Sequence, residues 1–180
     1  TVLERQHNQI RRLVEDLADT ARVAAGNVEL RRSPVDLSRQ LREVAHVWEA
    51  LASDQHKALT AMLPDRPVVL SGDVDRLQQV FSNLVGNALK YTPPGGAVTV
   101  ALDVTGDTAL VSVRDEGEGI APGQLPRIFD LFQRATSTGS GLGVGLAVVR
   151  ALAEGHGGSV RAPSEGIGRG ARFSGVVPLA

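Results

Sequence analysis

The segment 74–91, VDRLQQVFSNLVGNALKY, constrains the fold of this chain most strongly. Read as a helix at about 100° per residue, it carries one continuous apolar stripe: Leu77, Val80, Phe81, Leu84 and Ala88. A helix with a single apolar stripe buries that side against another layer of the protein. We therefore predict a helix over 74–91 that packs on a β-sheet.

A second, polar stripe runs beside the apolar one. Asn83, Asn87 and Lys90 are spaced four and three residues apart, so they are neighbours on the helix, and Tyr91 lies at their edge. Unpaired amides beside a core are costly, so a polar ligand is expected above them. Amide oxygens suit a hydrated Mg²⁺ that binds substrate phosphates, lysine suits a phosphate, and a tyrosine ring suits a base or ribose. The alternative is helix-capping asparagines and a lysine that extends to solvent.

Two glycine-rich segments follow. In VRDEGEGIAP, Asp115 ends a predicted strand and Gly117 and Gly119 follow it. A carboxylate there can accept a hydrogen bond from an exocyclic amine, and glycines let the backbone approach a flat base. In GSGLGVGLAVV, Gly141, Gly143 and Gly145 stand at a helix start, where exposed amides and the helix dipole favour polyphosphate.

Each glycine segment alone also fits a plain turn or a Rossmann fold. A Rossmann fold requires a strand immediately before the glycines, whereas the polar stretch QRATSTGS stands there.

Composition excludes several classes of protein. The 19 basic and 20 acidic residues are nearly balanced and form no basic tract, so we expect no nucleic-acid partner. The absence of cysteine excludes disulfides and thiolate metal sites. No apolar run approaches the roughly 20 residues of a membrane span. Because the chain opens without Met in TVLERQHNQIRRL, we interpret it as a fragment of a longer protein, which could itself be anchored in a membrane.

Residues 1 to about 25 are predicted to form an amphipathic helix, because Leu3, Ile10, Leu17 and Ala24 recur every seven residues. This helix needs a partner, either a second copy of itself or its own domain.

The remaining sequence mixes helices and strands. We predict a strand in NVELRRSPVDL that ends at Pro34, a helix from Asp36 or Ser38 to about Ser53, strands in KALTAML and RPVVLSGD, a hairpin across 105–107, a short helix near LPRIFDLFQ, a helix over about 142–155, and closing strands in GSVRAPSE and ARFSGVVPL. This order predicts an α+β, two-layer α/β sandwich.

Taken together, the motifs resemble those of the ATP-binding catalytic domain of sensor histidine kinases, within the GHKL ATPase superfamily. The shared patterns are Asn-x-x-x-Asn-Ala-x-Lys-Tyr-Thr, Asp-x-Gly-x-Gly-Ile and Gly-x-Gly-x-Gly-Leu in this order, and IFDLFQR resembles the family's F box. The resemblance implies a Bergerat-type fold, a mixed sheet with helices on one face. It also implies that 1–27 is the second helix of a dimerisation and phosphotransfer hairpin and that 28–180 is the catalytic domain.

The resemblance also implies roles for individual residues. It assigns Mg²⁺ to Asn87, support of the metal to Asn83, a phosphate to Lys90 and the nucleotide wall to Tyr91. Asp115 would accept from the adenine amino group, beside a wall formed by Gly117, Gly119 and Ile120. Phe132 and Arg134 would belong to a lid over ATP. The phosphates would be bound by the backbone of the second glycine box: Gly141, Leu142, Gly143, Val144, Gly145 and Leu146. Leu142 and Val144 depart from the family's common residues, so Gly139-Ser140-Gly141 is an alternative register.

The implied activity is transfer of the ATP γ-phosphoryl group to a histidine. Hydrolysing relatives carry a glutamate where this chain has Asn83, and asparagine cannot accept a proton from water at neutral pH. None of His7, His46, His56 and His156 is followed by the family's acceptor pattern, so the acceptor is expected upstream, and the fragment is expected to bind ATP without autophosphorylating.

The implied partners are a response regulator receiver domain and, in the full-length protein, a second copy through the N-terminal hairpin, with this domain in the cytoplasm. The alternatives are an anti-sigma-type kinase or nucleotide-sensing ATPase of the same fold, and a degenerate domain that serves only as a dimer scaffold.

Overall fold

A computed structural model describes Ala18, residues 29–133 and residues 143–179. Its elements in chain order are β1 (Ser33–Asp36), α1 (Leu37–Asp54), β2 (Ala58–Met62), β3 (Val69–Gly72), α2 (Val74–Tyr91), β4 (Ala97–Thr105), β5 (Thr108–Asp115), a 3₁₀ turn (Leu125–Arg127), α3 (Gly145–Gly155), β6 (Ser159–Arg161) and β7 (Ala171–Pro178). The predicted N-terminal helix lies outside the described residues, apart from Ala18.

The main sheet has five strands in the order β2-β4-β5-β7-β6. β2 pairs with β4 in parallel, and the other neighbours are antiparallel. Residues in register across the sheet, such as Val100, Val113 and Phe173, are all buried, whereas their neighbours Ser112 and Ser174 are only half-buried. The helices therefore cover one face of a mixed sheet, which confirms the predicted α+β class.

The apolar stripe of α2 supplies much of the core. All five predicted stripe residues are buried, and α2 spans the predicted range 74–91. Its first turn is capped by Asp73, whose Oδ1 accepts from the backbone N–H groups of Asp75 and Arg76. Asp36, one of the two residues at which the sequence predicted the start of α1, caps that helix in the same way. Capping carboxylates satisfy N–H groups that have no partner within the helix.

Two local predictions are wrong, and helix α3 starts about three residues later than predicted. Pro34 lies inside β1 rather than at its end, which the strand tolerates because β1 belongs to a separate two-stranded sheet with β3. The helix predicted near LPRIFDLFQ is a single 3₁₀ turn, and within the described residues α3 begins at Gly145.

Within the described part of the chain, no helix has the length and apolarity to cross a membrane.

A small apolar cavity of about 30 Å³ lies between the sheet and helices α2 and α3, lined among others by Phe81, Val111 and Gly175. Gly175 stands on β7 between two inward-facing residues, Phe173 and Val177. A Cβ placed there would have only the carbonyl oxygen of Ser159 within 4 Å, at 3.9 Å. The side chain missing at Gly175 therefore accounts for part of this cavity.

We expect Gly175→Ala to raise the free energy of unfolding by about 1 kcal/mol, because the methyl group fills apolar space and the unfolded chain loses freedom. The midpoint of urea denaturation, at unchanged slope, measures this gain. Gly123→Ala is the control, because a Cβ at that position meets nothing within 4 Å and lies on the exposed surface, where it fills no cavity. A midpoint no higher than that of the control would show that the cavity is not filled.

Candidate functional site

Helix α2 contacts both glycine-rich segments. At its C-terminal end, the carbonyl oxygen of Tyr91 accepts a hydrogen bond from the backbone N–H of Glu118 at 3.2 Å. In its middle, the Asn83 side-chain amide donates to the carbonyl oxygen of Gly145 at 3.4 Å. The polar stripe of α2, the segment after Asp115 and the start of α3 are therefore brought together.

Asp115 ends β5 with its carboxyl group buried, at 4% exposure. Oδ1 accepts from the backbone N–H groups of Gly117, at 2.9 Å, and Ala171, at 3.1 Å. Burial raises the pKa of Asp115 above its ordinary value, and the two N–H donors only partly oppose this. In the described part of the chain no group donates to Oδ2, so the carboxylate keeps one acceptor for a ligand.

The glycines after Asp115 are required by close packing. A Cβ at Gly117 would lie 2.5 Å from the carbonyl oxygen of Tyr91. Gly119 has φ of +71°, and a Cβ there would lie 2.1 Å from the carbonyl oxygen of Gly166. Both distances exclude any side chain, so the backbone alone forms this wall of the site.

Sequence reasoning missed the segment that holds this wall in place. The Ser164 hydroxyl accepts from the Ile120 N–H at 3.0 Å and donates to the carbonyl oxygen of Gly170 at 2.8 Å. The Gly170 N–H in turn donates to the carbonyl oxygen of Gly117 at 3.1 Å. The only signal in the sequence was the glycine-rich run GIGRG, which gives no indication of what it packs against.

The polar stripe of α2 is positioned as predicted. Asn83, Asn87 and Tyr91 are half-buried, and Lys90 is exposed with its Nζ 5.0 Å from the centre of the Tyr91 ring. Within the described residues the side-chain amide of Asn87 makes no hydrogen bond. Such a half-buried amide is costly unless water or a ligand satisfies it.

The second glycine box ends in the first turn of α3, which begins at Gly145. No side chain caps this helix, so its first N–H groups have no partner from a capping residue. Val144 is buried, which leaves only its backbone to act on a ligand, while Gly145 and Leu146 are half-buried. Gly143 has φ of +72°, and a Cβ there would lie 2.6 Å from the carbonyl oxygen of Gln133.

The F-box residues divide into two groups. Phe129 packs edge-on against Phe173 in the core, with ring centres 6.5 Å apart. Phe132 is 61% exposed and has φ of +63°, an unusual backbone conformation for a residue with a side chain. Arg134, Gly141 and Leu142 lie outside the described residues.

The donor set agrees with a hydrated magnesium ion held mainly by phosphate. The described ranges contain no group of three or more histidine, cysteine or acidic residues that could hold a metal by itself. Asn87 instead offers one unbonded amide oxygen. Mg²⁺ typically takes one or two protein ligands together with waters and substrate phosphates, so these residues fit Mg²⁺ carried by a nucleotide.

Comparison with known proteins gives consistent matches. Residues 72–180 match the family model of histidine kinase-, DNA gyrase B- and HSP90-like ATPases. The chain is 33% identical to the sensor histidine kinase WalK of Bacillus subtilis over 96% of its own length and 29% of WalK. It is 37% identical to the probable sensor histidine kinase TcrY of Mycobacterium tuberculosis over 87% of its length and 33% of TcrY. The chain thus spans about a third of these relatives.

A solved structure is similar over the full chain. The crystal structure of full-length ShkA in complex with AMPPNP superposes with a TM-score of 0.86 at 32% identity, covering 100% of this chain and 38% of ShkA. The family model covers more than half of the chain and includes both glycine segments and the polar stripe of α2. The chain therefore belongs to the family of histidine kinase-, DNA gyrase B- and HSP90-like ATPases.

Proposed function

We propose that this chain is the ATP-binding catalytic part of a sensor histidine kinase that transfers the γ-phosphoryl group of ATP to a histidine outside this sequence. The observation that carries the proposal is the contact of α2 with both glycine segments, through Tyr91 and Asn83. Along α2, that contact brings together a carboxylate with one unpaired oxygen, two amides and an uncapped helix N-terminus. Adenine, magnesium and polyphosphate require these three kinds of group.

Different residues bind the adenine end and the phosphate end of the nucleotide. Asp115 Oδ2 accepts from the adenine amino group, and the backbone at Gly117, Gly119 and Ile120 lies against the base. The segment from Gly143 to Leu146, which leads into α3, donates backbone N–H groups to phosphate, together with Gly141 and Leu142. Lys90, Arg134, Tyr91 and Phe132 complete the site as phosphate and nucleotide contacts.

Asn87 holds Mg²⁺, with Asn83 supporting the metal or its waters. When bound, the ion neutralises charge on the phosphates during transfer. Asn83 has no proton-accepting group at neutral pH, so a water molecule beside it is not activated. The chain's own residues therefore position the nucleotide and restrict hydrolysis, which suits transfer to another side chain.

The kinase proposal is favoured over an anti-sigma-type kinase or a nucleotide-sensing ATPase. The match to sensor histidine kinases extends over 96% of this chain in WalK, including the segment before the ATPase domain. We accordingly assign residues 1–27 to the second helix of a dimerisation and phosphotransfer hairpin and 28–180 to the catalytic domain. A second copy through that hairpin and a response regulator receiver domain are the proposed partners.

Titration of the chain with a fluorescent ATP analogue, with and without Mg²⁺, tests the proposal. We expect saturable binding that Mg²⁺ strengthens, with hydrolysis slow relative to binding. Addition of labelled ATP to a longer form of the protein that contains the acceptor helix should then label a histidine. Absence of binding by the unmodified chain excludes a kinase, whereas rapid hydrolysis without transfer supports the ATPase alternative.

A further inference from the structure

Helix α3 lies antiparallel to the first half of α2, and both ends of α3 contact α2 or its capping residue. The front contact is the hydrogen bond from Asn83 to Gly145, inside the proposed nucleotide site. The rear contact lies ten residues earlier, about 15 Å away along α2 at 1.5 Å per residue, where α2 begins and α3 ends. There the Nε2 atom of His156 accepts from the backbone N–H of Asp73 at 3.0 Å.

The imidazole of His156 is fixed on both sides. It is 2% exposed, and its Nδ1 lies 2.7 Å from the carbonyl oxygen of Leu152. Because Nε2 accepts from a backbone N–H, the ring proton resides on Nδ1 and is donated to Leu152. The ring therefore joins the last turn of α3 to the residue that caps α2.

The peptide that precedes β1 is attached to the same place. The backbone N–H of Arg31 donates to Oδ2 of Asp73 at 2.9 Å. Burial alone would raise the pKa of Asp73, but backbone donors, including Arg31, and the charge of Arg76 outweigh burial and hold that pKa below its ordinary value. The Asp73 carboxylate is therefore charged, and both of its oxygens accept backbone hydrogen bonds where the peptide before β1 meets the start of α2.

Arg32 adds a second attachment. Its Nη2 donates to the carbonyl oxygen of Gly155, the last residue of α3, at 2.7 Å, and its Nη1 donates to the carbonyl oxygen of Ser71 at 3.3 Å. Carbonyls at a helix C-terminus have no partner within the helix and carry negative partial charge. A guanidinium group therefore connects the peptide before β1 to both β3 and the end of α3.

We infer that Arg32, Asp73 and His156 form a joint that positions α3 against α2 and couples nucleotide binding to the placement of residues 29–32. The inference rests on the proposed function, because the front contact belongs to the nucleotide site. Two rigid helices fixed at the rear hold Asn83 and Gly145 in register at the front. Coupling between two sites acts in both directions, so nucleotide binding tightens the joint by the factor with which the joint tightens binding.

The test compares the unmodified chain with Arg32→Ala, in which the joint loses two hydrogen bonds from an exposed side chain. We expect Arg32→Ala to weaken binding of AMPPNP with Mg²⁺ about fivefold, near the lower end of measured couplings, and Arg32→Lys to restore most of the affinity. The charge-matched control is Arg39→Ala, because the Arg39 guanidinium pairs with Glu43 on the exposed face of α1. Calorimetry provides the affinities.

Hydrogen exchange provides a second, local measurement. Without nucleotide, Arg32→Ala should accelerate exchange of the backbone amides of Arg31 and Asp73. Saturating AMPPNP should slow exchange at both amides in the unmodified chain by a similar, about fivefold, factor. Equal affinity of Arg32→Ala and the control, or exchange unaffected by nucleotide, overturns the inference. If the unmodified chain fails to bind AMPPNP, both the proposed function and the coupling are contradicted. If Arg32→Ala leaves the exchange of these amides unchanged in the absence of nucleotide, then Arg32 does not form the joint.

Discussion

Asp115→Asn is expected to lower the affinity of this chain for ATP by about thirtyfold without disrupting the fold. The asparagine oxygen can still accept from Gly117 and Ala171, as Oδ1 does now. The position of Oδ2 becomes an NH₂ group, which cannot accept from the adenine amino group. A hydrogen bond to a charged acceptor contributes about 2 kcal/mol, which corresponds to about thirtyfold. Calorimetric titration with ATP measures the change.

Nucleotide selectivity provides the internal check. Guanine carries a carbonyl oxygen where adenine carries its amino group, so the unmodified chain should prefer ATP and Asp115→Asn should narrow that preference. Asp103→Asn is the control, because Asp103 is an exposed carboxylate on the neighbouring strand β4. Equal binding of ATP and GTP by the unmodified chain contradicts the adenine role of Asp115.

The raised pKa of Asp115 also fixes the direction of two pH effects. Because the folded-state pKa lies above the ordinary value of 3.8, the stability that this group contributes is fully present below 3.8 and is lost as pH rises through the folded-state pKa. Asp115→Asn should therefore be no less stable than the unmodified chain at neutral pH. ATP affinity should begin to fall on acidification while the pH is still above 3.8, and this fall should be absent in Asp115→Asn.

Asn87→Ala is expected to remove the magnesium-dependent part of ATP binding. Loss of residues that only support a metal ligand typically lowers metal affinity by about 10–100-fold, so loss of the proposed ligand itself should have at least this effect. The fold should persist, because alanine favours helix more than asparagine does and Asn87 makes no side-chain hydrogen bond within the described residues. Titrations of ATP at several Mg²⁺ concentrations separate the metal-dependent part.

The control for Asn87→Ala is Gln78→Ala, which removes an exposed amide from the same helix α2. The control should retain the full effect of Mg²⁺, as should the unmodified chain. If Asn87→Ala retains it too, then the metal is not bound by Asn87. Affinity in the absence of Mg²⁺ should be similar in all three proteins.

The parts of the fold that the sequence predicted are those whose causes are local. The bounds of α2 follow from one apolar stripe and the capping residue before it, and the β4–β5 hairpin follows from two short alternating runs around Gly106. The proximity of the polar stripe to both glycine segments was expected only through the resemblance of three motifs in series. A backbone that closely approaches a phosphate or a base needs glycine wherever a side chain would clash. The glycines that meet this need can be seen directly in the sequence.

The tertiary structure alone decided how these elements are held together. β3 pairs with β1 rather than with the main sheet, Ser164 secures Ile120 across 44 residues, and His156 secures Asp73 across 83. Each of these contacts joins a common polar side chain or strand edge to a distant backbone group. A serine or histidine side chain can hydrogen-bond to the backbone of any residue. The sequence therefore contains no periodic pattern that indicates which residue will be its partner. The sequence thus determined which groups we propose for ligand binding, and only the packed structure determined which contacts fix their positions.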